Sequence, residues 1–440
     1  MHRAGFAGAS TALPAWRIAF LPIDEVESGD GAVESTTVVI AGGGPAGMMA
    51  GLLLARAGIA VTVLEKHADF LRDFRGDTVH ASTVALLDEL GLGAEFRELP
   101  QSRMTGLLLP GTDSQRVPVN VFAALPAPYN YVAMVPQWDL LNLLAEAAGR
   151  EPGFTLRMRT EATGLILADG RVTGVRYRGP DGAGEIHADL ALACDGRASA
   201  LRRDSGLPAR EYRVPFDMWW FRLPRHPDEG GDVAGIAPAF GRGEALLALT
   251  REGYYQLAYP IPKGSDACRR AEGVEAFRAR VAALRPDLAD RVETIASMDD
   301  VYVLDVRLDR LRRWYTDGLL CLGDAAHAMS PVGGVGINLA IQDAVAAARL
   351  LAVPLAENRL TIADLARVQQ RRQRPTVILQ TMQRTLHLGL SPLLSGRITV
   401  RPPWGLLRAA SRAPQWILRI PARLIAVGPR PEHAPAFARR

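Results

Sequence analysis

Gly42, Gly44 and Gly47 fall in the order Gly-x-Gly-x-x-Gly, behind the apolar run Thr36 to Ala41 and ahead of the small and apolar stretch Ala46 to Ala57. A strand, a tight turn and a helix in that order bring a backbone against a pyrophosphate. The first glycine permits the turn, the second lets the backbone approach the ligand, and the third lets helix and sheet pack closely. Pro45 and Ala46 open the helix, where free N–H groups and the positive dipole end favour phosphate oxygens. Gly58 ends it, and Ile59 to Leu64 returns as a parallel strand, so Glu65 stands at that strand's end, 18 residues after Gly47, with Lys66 beside it. A carboxylate there accepts hydrogen bonds from an adenosine ribose and would repel a 2′-phosphate, so the ligand of this βαβ unit is FAD or NAD rather than NADP.

A second constellation separates those two. Leu319 to Leu322 reads as a strand, and Gly323-Asp324 at its end offers a carboxylate to a ribityl hydroxyl. Pro331 to Asn338 then enters a helix through Gly333, Gly334 and Gly336, so the peptides of Gly334, Gly336, Ile337 and Asn338 can face a partial negative charge. A reduced flavin carries such charge on its N1–C2=O edge, and helix N-termini stabilise it. Asp195-Gly196 lies between the two glycine-rich segments. His327 is read as orienting the loop rather than as an acid or base.

With these motifs in this order, the chain resembles the class A flavoprotein monooxygenases, the FAD-dependent aromatic hydroxylase family related to para-hydroxybenzoate hydroxylase, over about residues 36 to 350. The resemblance implies that Arg75, in Arg75-Gly76-Asp77, lies near the FAD phosphates and ribityl chain, and that Gln137 contacts the cofactor. It implies that Cys194 to Arg202 is the motif serving both FAD and the nicotinamide coenzyme, through Asp195 and Gly196. It implies that Asp324, Pro331, Gly336, Ile337 and Asn338 supply ribityl and isoalloxazine contacts. The implied reaction uses NADH or NADPH and O2 to hydroxylate an aromatic or other planar, electron-rich and lipophilic small molecule through a flavin C4a-hydroperoxide, the cofactor carrying the difficult step. No catalytic side chain and no metal is assigned.

Three other readings stay open: an FAD-dependent dehydrogenase or reductase, a flavin-dependent halogenase, and a non-catalytic flavin-binding protein. Trp219 to Pro224 (WWFRLP) is an altered form of the halogenase Trp-x-Trp-x-Ile-Pro, but the region matching the halogenase active-site lysine holds Arg72 and Arg75.

The elements that position these groups define an α/β protein. A Rossmann-like FAD-binding domain (36–205 and 308–375) is interleaved with a substrate domain (206–307) on a mainly antiparallel sheet, to which 105–135 could contribute, and helices follow to the C-terminus. Strands are expected at Asp217 to Leu223, Ala245 to Thr250, Tyr254 to Ile261 and Val301 to Arg307, around one helix from Gly273 to Ala283, with Asp169-Gly170 as a hairpin turn. Alternation puts Trp219 and Phe221 on one face of the first of these strands, and with Tyr255 they are the candidate substrate contacts.

Composition bounds the rest. The 440 residues are 48% hydrophobic and 22% charged, ordinary for a globular protein large enough for two cores. Three dispersed cysteines form neither a disulfide framework nor a zinc site, and no apolar run is long enough to span a bilayer, so the expected location is cytoplasmic. Residues 1–35 are expected to be a poorly ordered extension. From Arg367 onward there are 14 Arg, no Lys and one acid, a net +13 against −9 for the first 366 residues. With no nucleic-acid motif beside this charge, residues 376–440 are read as a basic helical segment. It either docks on the acidic body or makes peripheral contact with the inner face of a membrane.

Overall fold

The computed structural model describes residues 34–71, 77–110, 116–226, 229, 234–241, 243–251, 253–394 and 414–440, and the expected N-terminal extension falls almost wholly outside them. Glu34 to Arg440 forms one compact unit. Its first strand, β1 (Ser35–Ala41), pairs in parallel with β2 (Val61–Leu64) on one side and with β3 (Gly182–Ala193) on the other. A short strand, Leu319–Cys321, continues the parallel sheet beyond β3, and Phe154–Arg157 continues it beyond β2. The hairpin Glu161–Ala168 and Arg171–Gly179 adds antiparallel strands through the outer part of β3. Its turn residues Asp169 and Gly170 both have positive φ, as a tight two-residue hairpin requires.

Helix α1 (Pro45–Arg56) is buried from Ala46 to Ala55, because it lies between this sheet and two other helices, α2 (Gln137–Gly149) and the later α4 (Gly336–Ala356). A helix covered on all sides must be apolar on all sides, which explains its MMAGLLLA sequence. Helix α4 is the one described helix long and apolar enough to cross a membrane, and most of it is buried in the protein core.

The second sheet has nine strands. Its centre is antiparallel: β4 (Phe216–Pro224), β5 (Ala234–Gly241), β6 (Glu244–Thr250) and β7 (Tyr254–Pro262), in the order β4-β7-β6-β5. Ser102–Pro110 then joins β5 in parallel and carries the sheet on to Val132–Met134 and Thr78–Val79. The expected strand Val301 to Arg307 is reduced to Tyr302–Leu304. Strand β5 was not anticipated, because its Gly-, Ala- and Pro-containing sequence lacks strand propensity and is held by its neighbours on both sides. One face of the sheet is covered by α3 (Val274–Leu284).

The C-terminal residues pack back on this body. After α5 (Ile362–Leu394), helix α6 (Gln415–Ala426) buries Ala422 and Ala426, and the Ile425 carbonyl accepts a 2.8 Å hydrogen bond from Nδ1 of buried His80. Burial holds the His80 ring neutral, with its pKa lowered to about 4.

A buried ionic network fixes the tail beyond α6. Arg372, 0% exposed, donates from Nε to Asp343 (3.0 Å) and from Nη1 to Glu432 (3.3 Å) and the Arg430 carbonyl (2.9 Å). Glu432 is also gripped by Arg371 at 2.7 and 2.9 Å and by Arg349 at 3.0 Å. The other oxygen of Asp343 lies 2.6 Å from Nε2 of His327.

Removing one partner of such a network leaves uncompensated buried charge, typically a cost of about 3–5 kcal/mol. Arg372→Met should therefore lower the urea midpoint of unfolding sharply, and Arg371→Met, at a partly exposed position, should lower it less; equal midpoints for Arg372→Met and wild type would contradict this account.

Candidate active site

The phosphate-binding turn has the geometry its glycines suggest. Gly42 has φ +97°, and a Cβ there would lie 2.5 Å from the Cys194 carbonyl oxygen. A Cβ on Gly47 would lie 1.9 Å from the Gly42 carbonyl oxygen, so this position brings α1 against the turn. Gly44 differs: an added Cβ would meet nothing within 4 Å. That open space lies at the N-terminus of α1, whose first turn has no side-chain cap and no acid and begins with Pro45 and Ala46. An uncapped helix end with this clearance beside it fits a pyrophosphate. Glu65, buried at the end of β2, accepts from Gly43 N–H (2.9 Å) and His67 N–H (3.0 Å), with the His67 ring 2.5 Å away. Lys66 is exposed beside it. Arg75 lies outside the described residues.

The second glycine-rich segment meets the first directly. Gly323 has φ +56°, and its missing Cβ would lie 3.4 Å from Cβ of Ala46 and 3.1 Å from Cβ of Ala340. The turn after Leu319–Cys321, the start of α1 and the start of α4 thus converge through small residues. Asp324, about a third exposed, accepts from Arg197 Nε at 3.1 Å, and Arg197 also donates to the Asp305 carbonyl at 3.0 Å. Arg197 was not singled out for this role from sequence; its place within Asp195-Gly196-Arg197 is the signal that could have found it.

Asp195 caps a short helix, accepting from Ala200 N–H at 2.8 Å, while its other oxygen is buried without a partner. Burial pushes its pKa up. Gly196 takes φ +81°.

Around the start of α4, Gly333 and Gly334 have φ +84° and +62°, and a Cβ on Gly334 would lie 2.4 Å from Thr78 Oγ1. The Asn338 side chain is engaged within the protein. Its oxygen accepts from His80 N–H and Thr83 Oγ1, both at 2.8 Å, and its nitrogen donates to the Thr78 and Gly334 carbonyls. Only its peptide remains for a ligand. Pro331, Gly336 and Ile337 are partly exposed along the same entrance, and α4 has no side-chain cap and no acid in its first turn. Gln137 is buried at the start of α2, its Oε1 unpaired.

The candidate substrate contacts need correction. Trp219 and Phe221 do share a face, but both are 0% exposed and pack on Phe277 of α3 at ring-centroid distances of 5.3 and 5.0 Å. The Trp219 indole N–H is taken by Asp266 at 2.6 Å. Tyr255 packs against the same cluster and donates to Glu229 at 3.2 Å. Trp219 and Phe221 therefore belong to the core between sheet and α3, and Tyr255 stands, partly exposed, at the margin of that core.

Residues of opposite parity line the other face. There Trp220, Leu247 and Val332 of the glycine loop each pack against one apolar group that includes Met218, and Trp220 and Leu247 also pack against a second group that includes Leu249, Met104, Met134 and Phe122. A polar knot stands at its edge: Arg251 donates to Gln256 at 2.6 Å and to Asp77 at 2.6 Å. Burial raises the Asp77 pKa and Arg251 opposes it.

Substitutions at two glycines separate fold from ligand. Gly42→Ala should reduce both thermal stability and bound flavin, because its Cβ meets backbone. Gly44→Ala should keep wild-type thermal unfolding while lowering the 450 nm to 280 nm absorbance ratio of the purified protein; full flavin content in Gly44→Ala would contradict the cradle.

Residues 35–380 match the family described as FAD binding domain. The chain is 33% identical over 393 residues to 6-methylpretetramide 4-monooxygenase of Streptomyces rimosus, covering 87% of this chain and 91% of that protein. It is 31% identical to the 12-dehydrotetracycline 5-monooxygenase/anhydrotetracycline 6-monooxygenase of Streptomyces rimosus subsp. rimosus, over 70% of this chain and 61% of that one. Its fold is similar to the crystal structure of p-nitrophenol 4-monooxygenase from Pseudomonas putida DLL-E4, with a TM-score of 0.70 and 19% identity, covering 89% of this chain and 97% of that chain. The converging glycine turns and the family match agree, and the chain belongs to the FAD-dependent aromatic hydroxylase family of flavoprotein monooxygenases.

Proposed function

We propose that this monooxygenase oxygenates a polycyclic aromatic polyketide, with NADH or NADPH as reductant and O2 as oxidant. The observation that carries the reading is the 33% identity to 6-methylpretetramide 4-monooxygenase over most of both chains, and the apolar sheet face of Trp220, Leu247 and Leu249 beside the cofactor loop is in keeping with it. The tetracycline-pathway relatives support the same substrate class. FAD, reduced by the nicotinamide coenzyme, supplies the activated oxygen when bound.

The chain's own residues do the rest. Gly42, Gly44 and Gly47 with the start of α1 take the pyrophosphate, and Glu65 takes the adenosine ribose. Asp324, oriented by Arg197, takes the ribityl chain. The uncapped start of α4, with Gly334, Gly336, Ile337 and the Asn338 peptide, stabilises negative charge at the ring edge. Trp220, Leu247 and Val332 hold a planar substrate and exclude water, which protects an activated oxygen from unproductive decay.

Incubation of the holoenzyme with NADH or NADPH and anhydrotetracycline under 18O2 should give product carrying one labelled oxygen. Turnover that continues without O2 would instead support a dehydrogenase.

We further place the protein in the cytoplasm with peripheral contact to an anionic membrane surface. The outer face of α6 supports this: Trp416 and Ile420 are 67% and 66% exposed, and Arg419 and Arg423 are exposed beside them. Aromatic, aliphatic and basic groups on one helix face suit a lipid interface. The protein should sediment with phosphatidylglycerol-containing vesicles and not with pure phosphatidylcholine vesicles, and Trp416→Ser/Ile420→Ser should abolish that binding; equal recovery with both vesicle types would remove the membrane from the account.

A further inference from the structure

The substrate face of the sheet is enclosed by more than the cofactor loop. Trp220 and Leu247 each pack in two apolar groups, one reaching Val332 and the other reaching α6. In the second group Ala422 and Ala426 are fully buried, whereas Ile425 and Val427 are only partly covered, as are Trp220, Leu247 and Ile236 of the sheet. Partly covered apolar side chains gathered from a helix and a sheet into one group are the expected lining of a site for a hydrophobic ligand.

Helix α6 is also held where it could not drift. The His80 ring donates to the Ile425 carbonyl, and the His80 N–H donates to Asn338, so one residue ties α6 to the start of α4. Beyond α6, Glu432 is closed in by Arg349, Arg371 and Arg372.

We propose that α6 is a wall of the substrate site, with Ile425 as the residue that sets the room above Trp220 and Leu247, and with Glu432 as the positioning residue that seats this wall. The cofactor motifs do not include it, since the FAD-binding family match ends at residue 380. The inference rests on the reading of a large apolar substrate. Its chemistry is shape: a β-branched side chain in this apolar group limits the thickness and reach of a planar ligand, and a larger side chain there would displace that ligand.

The test uses the FAD-loaded full chain, with anhydrotetracycline and 4-nitrophenol as large and small probes. Binding is read from the perturbation of the flavin absorbance, and coupling from the ratio of oxygenated product to hydrogen peroxide. Ile425→Phe should raise the anhydrotetracycline Kd at least tenfold and shift consumption toward peroxide, with FAD content unchanged. Ile425→Ala should change Kd less and also lower coupling. Glu432→Gln should raise Kd and speed tryptic cleavage after Arg419 and Arg423, while Trp416→Ala, on the outer face, should change neither Kd nor coupling. Kd and coupling within twofold of wild type in both Ile425 variants would overturn the wall. If the wild type binds only 4-nitrophenol, the polyketide reading fails. The wall is then decided on that probe: a changed Kd in Ile425→Ala and Glu432→Gln supports it, and unchanged values overturn it.

Discussion

Everything in this protein depends on how closely three chain segments can approach at one point. The turn at Gly42, the start of α1 at Ala46 and Gly47, and the turn at Gly323 meet the first turns of α4 through residues with one side-chain carbon or none. The tolerances are below an atomic diameter, since a Cβ on Gly47 would overlap the Gly42 carbonyl and one on Gly323 would press on Ala340. With three backbones so near, two helix N-termini from opposite halves of the sequence can address one elongated ligand. Larger side chains would separate the helices and leave two half-sites.

The same junction explains where polar side chains are used and where they are withheld. Glu65, Asp195 and Asn338 are each held by backbone N–H groups, joined by the His67 ring at Glu65 and by the Thr83 hydroxyl at Asn338. Asp324, about a third exposed and held by an arginine, stays accessible to a ligand hydroxyl. The starts of α1 and α4 carry no side-chain caps, an omission that would cost stability in an isolated helix and is compensated when a ligand supplies the acceptors.

How much of this was legible depended on whether the signal was local. The glycine turns announce themselves because a positive φ or a close approach excludes other residues, so the turn, its helix and the following strand could be placed from sequence. The substrate face could not. Alternation in Asp217 to Leu223 correctly divides Trp219 and Phe221 from Trp220 and Arg222, but it does not say which set faces the cofactor. The more apolar set went to α3, whose Phe277 completes an aromatic core, and Trp220 of the mixed set joins the apolar group that also takes in Val332. Strand β5 failed for a related reason: its order comes from neighbours 130 residues away in sequence, such as Met104 opposite Ala234, rather than from its own composition. The docking of α6 was undecided from charge, because an Arg-rich amphipathic stretch suits a protein surface and a lipid surface equally well. Buried Glu432, the one acid in that stretch, fixes the tail beyond it.

The seating of the tail has a consequence for how the chain is made. Arg56, at the end of α1, donates to the Leu90 and Ala438 carbonyls, and Asp343 beneath the Gly323 loop is neutralised by an arginine that also holds Glu432. The βαβ unit is synthesised first, yet its helix and the flavin loop acquire their last partners only when residues 430 to 438 have left the ribosome. Vectorial synthesis therefore leaves the nucleotide fold without these partners until residues 430 to 438 have been made, about 370 residues after the helix they support.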